Sequence, residues 1–160
     1  MHLILDGHNL IPKIPGMRLS NLDDEMELIR MLQVYCRLHH DTATVFFDGA
    51  PANQAGTRRY HPVTAVFVRL GQTADDAIAS HLHTLGKRAK NITVISSDRR
   101  VQNDARAVHA AVISSDVFAG KLIEGIRTAP PTHAGKDESN PDIDEWLRLF
   151  NEGRKNDPPD

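Results

Sequence analysis

The chain has 160 residues, 19 basic and 21 acidic side chains, a net charge of -2 and 40% hydrophobic residues, which is typical of one soluble globular domain. Its single cysteine, Cys36, excludes an internal disulfide and a cysteine-based zinc site. No run reaches the ~18 apolar residues of a membrane span, and Asp6 precedes any long apolar region, which argues against a signal peptide. We therefore expect a cytoplasmic protein that does not associate with membranes. The sequence leaves the oligomeric state open.

Short apolar runs alternate with helix-like segments along the chain. The predicted strands are 3–5, 43–47, 63–68, 92–95 and 111–113. The predicted helices run from a cap at Ser20 or Asn21 to about residue 39, over 73–85, over 99–109, and from a cap at Ser114 or Ser115 to residue 126. This alternation indicates βαβ units, and hence an α/β fold with a mostly parallel sheet. The polar residues 49–61 predict a loop.

The composition changes after residue 127, so residues 1–127 are predicted to form the folded domain. Residues 128–141 are polar and contain prolines, which predicts a flexible linker. Residues 142–153 have apolar side chains at helical spacing, including the only tryptophan, Trp146. They predict an amphipathic helix that either docks on the sheet domain or binds a partner. Residues 154–160 are predicted to be a disordered tail.

Aspartates follow three of the predicted strands. Asp6 follows the first, Asp48 the second and Asp98 the fourth, while the pair Asp75–Asp76 opens the helix between the last two of these strands. The carboxyl ends of parallel strands meet at one edge of a sheet, where several carboxylates repel one another unless a cation lies among them. The pattern predicts a site for Mg²⁺ or Mn²⁺. Asp48 is its weakest member, because Asp-Gly is a common turn.

The middle of the chain is basic. Residues 50–110 contain nine basic and four acidic side chains, and three of those four acids belong to the predicted site. A basic zone around an acidic centre favours a polyanionic substrate held by its phosphates, although solvated helix faces are the alternative. His8, in the turn after the first strand, could bind the metal or contact substrate, but a loop histidine is more often solvated, and we expect that here. The candidates for substrate binding are Arg58, Arg59, Arg99 and Arg100, with Tyr60 as the one aromatic available for stacking.

Four segments carry a resemblance to a known family: LILDGHNLI, VFFDGAP, GQTADDAI and VISSDRRVQ. In this order and spacing they resemble the YacP-like branch of the NYN domains, which belong to the PIN-like ribonuclease superfamily. The serine pair Ser114–Ser115 is similar to that branch as well, and the likeness covers about residues 1–126. It implies a three-layer PIN-like, Rossmann-like fold with a mostly parallel central sheet. It also implies Mg²⁺- or Mn²⁺-dependent endoribonuclease activity on RNA, either mRNA or ribosome-associated RNA, with the ribosome as a candidate partner.

The resemblance implies roles for five residues by position. Asp6 and Asn9 match the family's first-strand acid and its asparagine. Asp75 matches the acid of its Ala-Asp motif, Asp76 the second acid of some NYN members, and Asp98 the strand-end acid. All five are therefore expected to be catalytic, and the four aspartates are expected to bind the metal.

One position departs from the wider superfamily. Many PIN-like nucleases have an acid where this chain has Gln102, although YacP-like sequences tend to have glutamine there. A second metal position is thus short of ligands unless Asp104 or Asp48 substitutes. Gln102 and Ser97 join the candidates for substrate contact.

Two other function classes were considered. A non-catalytic RNA- or ribosome-binding module on the same fold is the main alternative to a nuclease, and Gln102 keeps it open. A phosphotransfer receiver domain fits less well. It needs an acidic pair after the first strand and a lysine after a later one, which Asp6-Gly7-His8 and Ser114-Ser115 do not supply.

Overall fold

One six-stranded sheet forms the centre of the protein, whose computed structural model describes residues 1–17 and 22–128. The strands are β1 (His2–Asp6), β2 (Thr42–Ala50), β3 (Gly56–Tyr60), β4 (Val63–Arg69), β5 (Ile92–Ile95) and β6 (Ala111–Ile113). Their order is β3-β4-β2-β1-β5-β6. Strands β4, β2, β1, β5 and β6 are parallel, and β3 is antiparallel to β4. The predicted α/β fold with a mostly parallel sheet is confirmed.

Helices cover both faces of this sheet. They are α1 (Gly7–Leu10), α2 (Leu22–His39), α3 (Ala74–Leu85), α4 (Arg99–Ala107) and α5 (Ser115–Arg127). Side chains of β1 alternate between two apolar cores, with Leu3 and Leu5 packing against α1, α2 and α5, and Ile4 packing against α3 and α4. Because both faces are covered, the central strands are apolar on both sides, as expected of parallel strands.

Polar side chains fix where three of the helices begin. The hydroxyl of Thr73 accepts a hydrogen bond at the start of α3, the carboxylate of Asp98 does so at α4, and the hydroxyl of Ser114 does so at α5. Such caps satisfy backbone N–H groups that have no partner within the helix. The starts of α4 and α5 agree with the sequence prediction, and that of α3 differs from it by one residue. The predicted caps of α2, Ser20 and Asn21, lie outside the described residues, as do the linker beyond residue 128, the Trp146 helix and the tail.

Four local predictions were wrong. Residues 56–60 form the edge strand β3 rather than a loop, and β2 continues through Asp48 to Ala50 instead of ending at residue 47. The turn expected at residues 6–9 is the short helix α1, capped by Asp6. Helix α4 ends at Ala107, two residues early. None of the helices in the described part of the chain is long and apolar enough to cross a membrane.

The topology creates a crevice between β1 and β5. After β1 the chain adds β2 and then β4 on one side, and then crosses to add β5 and β6 on the other side. Ligands of open α/β sheets bind at such a reversal, outside the carboxyl ends of the strands. The last paired residues there are Leu5 and Ile95. The residues that follow them in sequence therefore lie together at this edge.

Candidate functional site

A pair of carboxyl groups in contact lies at the carboxyl edge of β1. Asp6 is the last residue of β1 and is only 7% exposed. Its carboxyl group is in hydrogen-bond contact with that of Asp75, in the first turn of α3. Burial, together with the negative charge of Asp75, raises the pKa of Asp6 to about 7. The backbone N–H of Asn9 donates to Asp6 Oδ1 at 3.4 Å and partly opposes this increase. Near neutral pH the two carboxyl groups therefore need a shared proton or a cation between them.

A third carboxylate, that of Asp98, approaches this pair from β5. Asp98 Oδ1 accepts hydrogen bonds from the backbone N–H groups of Arg100 at 2.8 Å and Val101 at 3.2 Å, which caps α4. Its negative charge follows burial as a cause of the raised pKa of Asp75. The N-terminus of α4 is favourable for a negative charge at Asp98, and this acid lies near the Asp6–Asp75 pair.

Asn9 connects three segments around the site. Its Oδ1 accepts hydrogen bonds from the backbone N–H of Ser97 at 3.0 Å and from the hydroxyl of Ser115 at 2.6 Å, while the Ser115 backbone N–H donates to Ser97 Oγ at 3.0 Å. These bonds join α1, the β5–α4 connection and the start of α5. No described residue accepts a hydrogen bond from Asn9 Nδ2, so that group is available to a ligand. Ser97, a candidate for substrate contact, makes two of these bonds.

Two residues in this neighbourhood were not recognised as important from the sequence. Ser115 is fully buried, and the serine pair within the family-like segment was the available signal. His8 was expected to be solvated, which was wrong. Its Nδ1 lies 2.6 Å from Asp48 Oδ1 and its Nε2 lies 3.0 Å from Glu25 Oε1. Glu25 is distant in sequence, and nothing local indicated this contact.

His8 is held as a cation beside the acids. Hydrogen bonding to Glu25 and Asp48 raises its pKa to about 9, although burial opposes the increase. The ring also packs against Phe47, with ring centroids 5.4 Å apart. Asp48 is near enough for its charge to raise the pKa of both Asp6 and Asp75. Asp48 thus belongs to the surroundings of the pair, with its own carboxylate bound to His8.

The second acid of the α3 pair faces elsewhere. The carboxylate of Asp76 forms an ion pair with the guanidinium of Arg100 on α4 and does not join Asp6 and Asp75. Gln102, at the position of the superfamily's additional acid, donates from Nε2 to the backbone carbonyl of Ser96 at 2.8 Å. Its amide therefore holds the turn before α4.

The structure separates the basic and aromatic candidates. Arg99 and Arg100 open α4 at the edge where the acids lie. Arg58 and Arg59 are consecutive residues of β3, so their side chains leave opposite faces of the sheet. The Arg58 guanidinium lies over the Phe67 ring, 4.9 Å from its centroid. Asp6 pairs with Phe46, and the next residue of β2, Phe47, pairs with Phe67. Phe67 therefore lies one residue closer than Asp6 to the carboxyl edge of the sheet.

Tyr60 lies at the opposite end of the sheet. It pairs with Val63, which pairs with Ala43, which in turn pairs with Leu3. Tyr60 is therefore separated from Asp6 by three residues along the strands and three strand spacings, or about 17 Å in all. This placement removes the reason for nominating it to stack on a substrate at the acidic edge.

The carboxylates at this edge offer a divalent cation two protein ligands in contact with each other. Within residues 1–17 and 22–128, no group of three or more His, Cys, Asp or Glu side chains is placed to hold a metal ion together. The pair of Asp6 and Asp75 nevertheless supplies hard oxygen donors in contact, with Asp98 nearby. Mg²⁺ commonly keeps several waters and takes only one or two protein carboxylates plus substrate phosphate oxygens. The pair fits that mode of binding.

Comparisons with known proteins agree with this fold. The chain is similar to Rae1 (YacP) from Bacillus subtilis, whose crystal structure superimposes with a TM-score of 0.67 at 20% identity, covering 97% of this chain and 84% of that one. A mutant of the same protein gives a TM-score of 0.58 at 22% identity, covering 93% and 91%. These likenesses show the fold. No curated protein matches the chain. The family model described as YacP-like NYN domain matches residues 3–146, and the chain therefore belongs to the YacP-like NYN domains, a family of PIN-like nucleases.

Proposed function

We propose that this protein is a Mg²⁺- or Mn²⁺-dependent endoribonuclease that hydrolyses RNA phosphodiester bonds. The observation that carries the proposal is the contact between the buried carboxyl group of Asp6 and that of Asp75, at the edge where β1 and β5 adjoin. A protein has little structural use for two acids in contact, because their repulsion disfavours the ionised state. A site that binds a cation explains the arrangement, and membership of a nuclease family supports it.

The residues around the pair have distinct tasks in this proposal. Asp6 and Asp75 would hold the metal directly, and Asp98 would do so directly or through water. A bound Mg²⁺ or Mn²⁺ polarises a phosphoryl oxygen and lowers the pKa of a water ligand. Asn9 keeps the β1 and β5 edges in register through Ser97, and its Nδ2 group can orient a carboxylate or a phosphate oxygen.

The basic side chains at the same edge would bind the RNA backbone. Arg99 and Arg100 begin α4 beside Asp98, and Arg58 is held on Phe67 near the same edge. Guanidinium groups bind phosphate through charge-assisted hydrogen bonds, which favours them over other side chains for this task. Arg59 leaves the opposite face of β3 from Arg58, so the two arginines would contact different parts of a bound RNA. The ribosome remains a predicted partner, which co-sedimentation with ribosomes would test.

A second candidate function is a non-catalytic RNA-binding module. Two observations favour it: Gln102 occupies the position of a further acid, and the described residues contain no group of three metal-ligating side chains placed together. Such a protein would keep the basic edge and bind RNA without cutting it. The two functions therefore differ in a single measurable property.

Cleavage of a labelled RNA separates them. A single-stranded RNA carrying fluorophores at both ends is incubated with the protein and Mn²⁺ or Mg²⁺, and the products are resolved by length. An endoribonuclease cuts within the strand and releases shortened fragments that each keep one end label, and a DNA of the same sequence shows whether the sugar matters. We expect cutting by the wild type and none by Asp6→Asn or Asp75→Asn.

The control variant is Asp116→Asn, which removes an exposed acid that pairs with Lys13. It should cut at the wild-type rate. Circular dichroism must show that all variants fold. If the wild type binds this RNA but leaves it intact with both metals, the nuclease proposal is wrong and the binding module is correct.

A further inference from the structure

The two adjacent acids at the start of α3 have different partners. The Thr73 hydroxyl accepts a hydrogen bond from the backbone N–H of Asp76 at 3.1 Å, which fixes the first turn of α3. Consecutive helical residues differ in direction by about 100°, so both cannot face the same point. The carboxyl group of Asp75 meets Asp6, whereas the carboxylate of Asp76 meets the Arg100 guanidinium.

Arg100 is held at both ends by acids. Its backbone N–H donates to Asp98 Oδ1 at 2.8 Å, and its guanidinium donates to Asp76 Oδ1. These contacts place a guanidinium across the gap between the starts of α3 and α4, next to the acidic pair. The guanidinium has five N–H donors, and the contact with Asp76 uses only part of this capacity. The remaining donors lie in solvent at the same edge, since the side chain is 60% exposed.

Neither stability nor metal binding accounts well for Asp76. The ion pair is exposed, with 60% of the Arg100 side chain and 55% of that of Asp76 accessible, and exposed ion pairs contribute little to folding. As a metal ligand, Asp76 would have to leave Arg100 and turn toward Asp6. Its observed contact instead restrains a long side chain that would otherwise sample many rotamers.

We propose that Asp76 is a positioning residue, which holds the Arg100 guanidinium where it contacts the phosphate being cut. This inference rests on the proposed nuclease function. Arg100 touches the substrate and Asp76 acts through it. Restraining Arg100 before RNA arrives lowers the ordering cost at the transition state, where small misplacements reduce rates strongly.

The test separates metal binding, RNA binding and turnover. The variants are Asp76→Asn, Asp76→Glu, Arg100→Gln, the double variant Asp76→Asn/Arg100→Gln, and Asp75→Asn as the loss-of-metal reference. Calorimetric titration with Mn²⁺ measures metal affinity without RNA. Fluorescence anisotropy in EDTA measures the Kd for a labelled single-stranded RNA, and cleavage of that RNA in Mn²⁺ gives kcat. Asp116→Asn is the control, because Asp116 is an exposed acid that pairs with Lys13 and not with Arg100.

The proposal predicts a split between these readouts. Asp76→Asn should bind Mn²⁺ within about 2-fold of the wild type, whereas Asp75→Asn should weaken Mn²⁺ binding by about 10-fold or more. Asp76→Asn should bind RNA as tightly as the wild type or more tightly, because an acid near a polyanion is removed. Its kcat should nevertheless fall by about 10-fold, and Asp76→Glu should recover most of it. In the Arg100→Gln background, Asp76→Asn should have no further effect on kcat, and Asp116→Asn should stay within about 2-fold of the wild type.

Four results would overturn the inference. An equal loss of Mn²⁺ affinity in Asp76→Asn and Asp75→Asn would make Asp76 a metal ligand. A further fall in kcat in the double variant would show that Asp76 acts independently of Arg100. If Asp76→Asn has the kcat of the wild type, Asp76 has no role in turnover. If the Asp76→Asn protein melts at a clearly lower temperature than the wild type, Asp76 has a structural role. If the wild type cuts RNA and any of these holds, only this inference fails, whereas a wild type that cuts nothing refutes the nuclease function as well.

Discussion

Asp6→Asn should stabilise the metal-free protein, and the gain should appear as the pH rises. The pKa of Asp6 is about 7 in the folded protein against an ordinary value of 3.8, chiefly because the carboxyl group is buried and because Asp75 lies against it. Between about pH 4 and pH 7, the folded state therefore keeps a proton that the unfolded state releases. Stability falls as the pH rises through this window, and above pH 7 the loss is complete.

The size of the effect follows from the size of the shift. An increase from 3.8 to about 7, at 1.36 kcal/mol per pH unit, corresponds to about 4 kcal/mol. Relaxation of the Asp6–Asp75 pair reduces this value, so we expect Asp6→Asn to be more stable than the wild type by about 2–4 kcal/mol at pH 8. At pH 4 the two should be nearly equal, because a protonated carboxyl group and an amide are both neutral and similar in shape.

Urea denaturation followed by circular dichroism in EDTA, at intervals from pH 4 to pH 8, measures this difference. The wild type should also gain stability when Mn²⁺ is added at pH 8, by about 2.7 kcal/mol at 100 times the Kd, and Asp6→Asn should not. Asp116→Asn serves as the control and should give a difference from the wild type that does not change over this range. A free-energy difference between Asp6→Asn and wild type that is constant from pH 4 to pH 8, or a less stable variant at pH 8, would refute the reasoning.

Three further predictions concern residues around the site. His8→Gln should lower the free energy of unfolding by about 1–2 kcal/mol at pH 6, and this loss should shrink toward pH 9.5. The pKa of His8 is raised to about 9, so its ion pairs stabilise the fold fully below pH 6.5, and this stabilisation disappears as the pH rises through 9. Urea titrations at the two pH values measure the difference. Gly7→Ala should reduce stability by about 1–3 kcal/mol, because the added Cβ would overlap with Phe47 Cε1. Gly120→Ala should increase stability by about 0.5–1 kcal/mol, because a Cβ at this position of α5 has no other atom within 4 Å. Equal melting temperatures for the two variants would contradict this. Ser115→Ala should cost about 1–2 kcal/mol in urea denaturation, since it removes a buried hydrogen bond.

The sequence predicted those parts of the fold whose causes are local. Strands β5 and β6 were predicted residue for residue, because short apolar runs with polar residues on both sides allow little else. The start of α5 followed from the serines at 114 and 115, of which Ser114 is the cap, and the start of α3 was predicted one residue early, at its cap Thr73. The meeting of Asp6 with Asp75 required one further rule, that the carboxyl ends of parallel strands share an edge.

The missed features depend on tertiary contacts. Strand β3 has the sequence Gly-Thr-Arg-Arg-Tyr and is almost entirely exposed, so it shows no alternation of apolar and polar residues. It becomes a strand because the backbone of β4 offers a free edge. The extension of β2 through Asp48 likewise depends on pairing with β4 and on the bond to His8. Neither partner is identifiable from the local sequence.

The charges around the site are balanced unequally. Asp98 is stabilised by the N-terminus of α4, Asp48 by the His8 cation, and Asp76 by Arg100. Each of these acids therefore has its own compensating partner within the protein. Asp6 and Asp75 lie mainly against each other. The one backbone hydrogen bond to Asp6 lowers its pKa less than burial and the charge of Asp75 raise it. The uncompensated negative charge is therefore concentrated on a single pair of oxygen-bearing groups at the crevice between β1 and β5. A cation that enters this crevice gains most of its electrostatic stabilisation there, which is why Asp6 and Asp75 are the residues whose substitution should abolish both metal binding and cleavage.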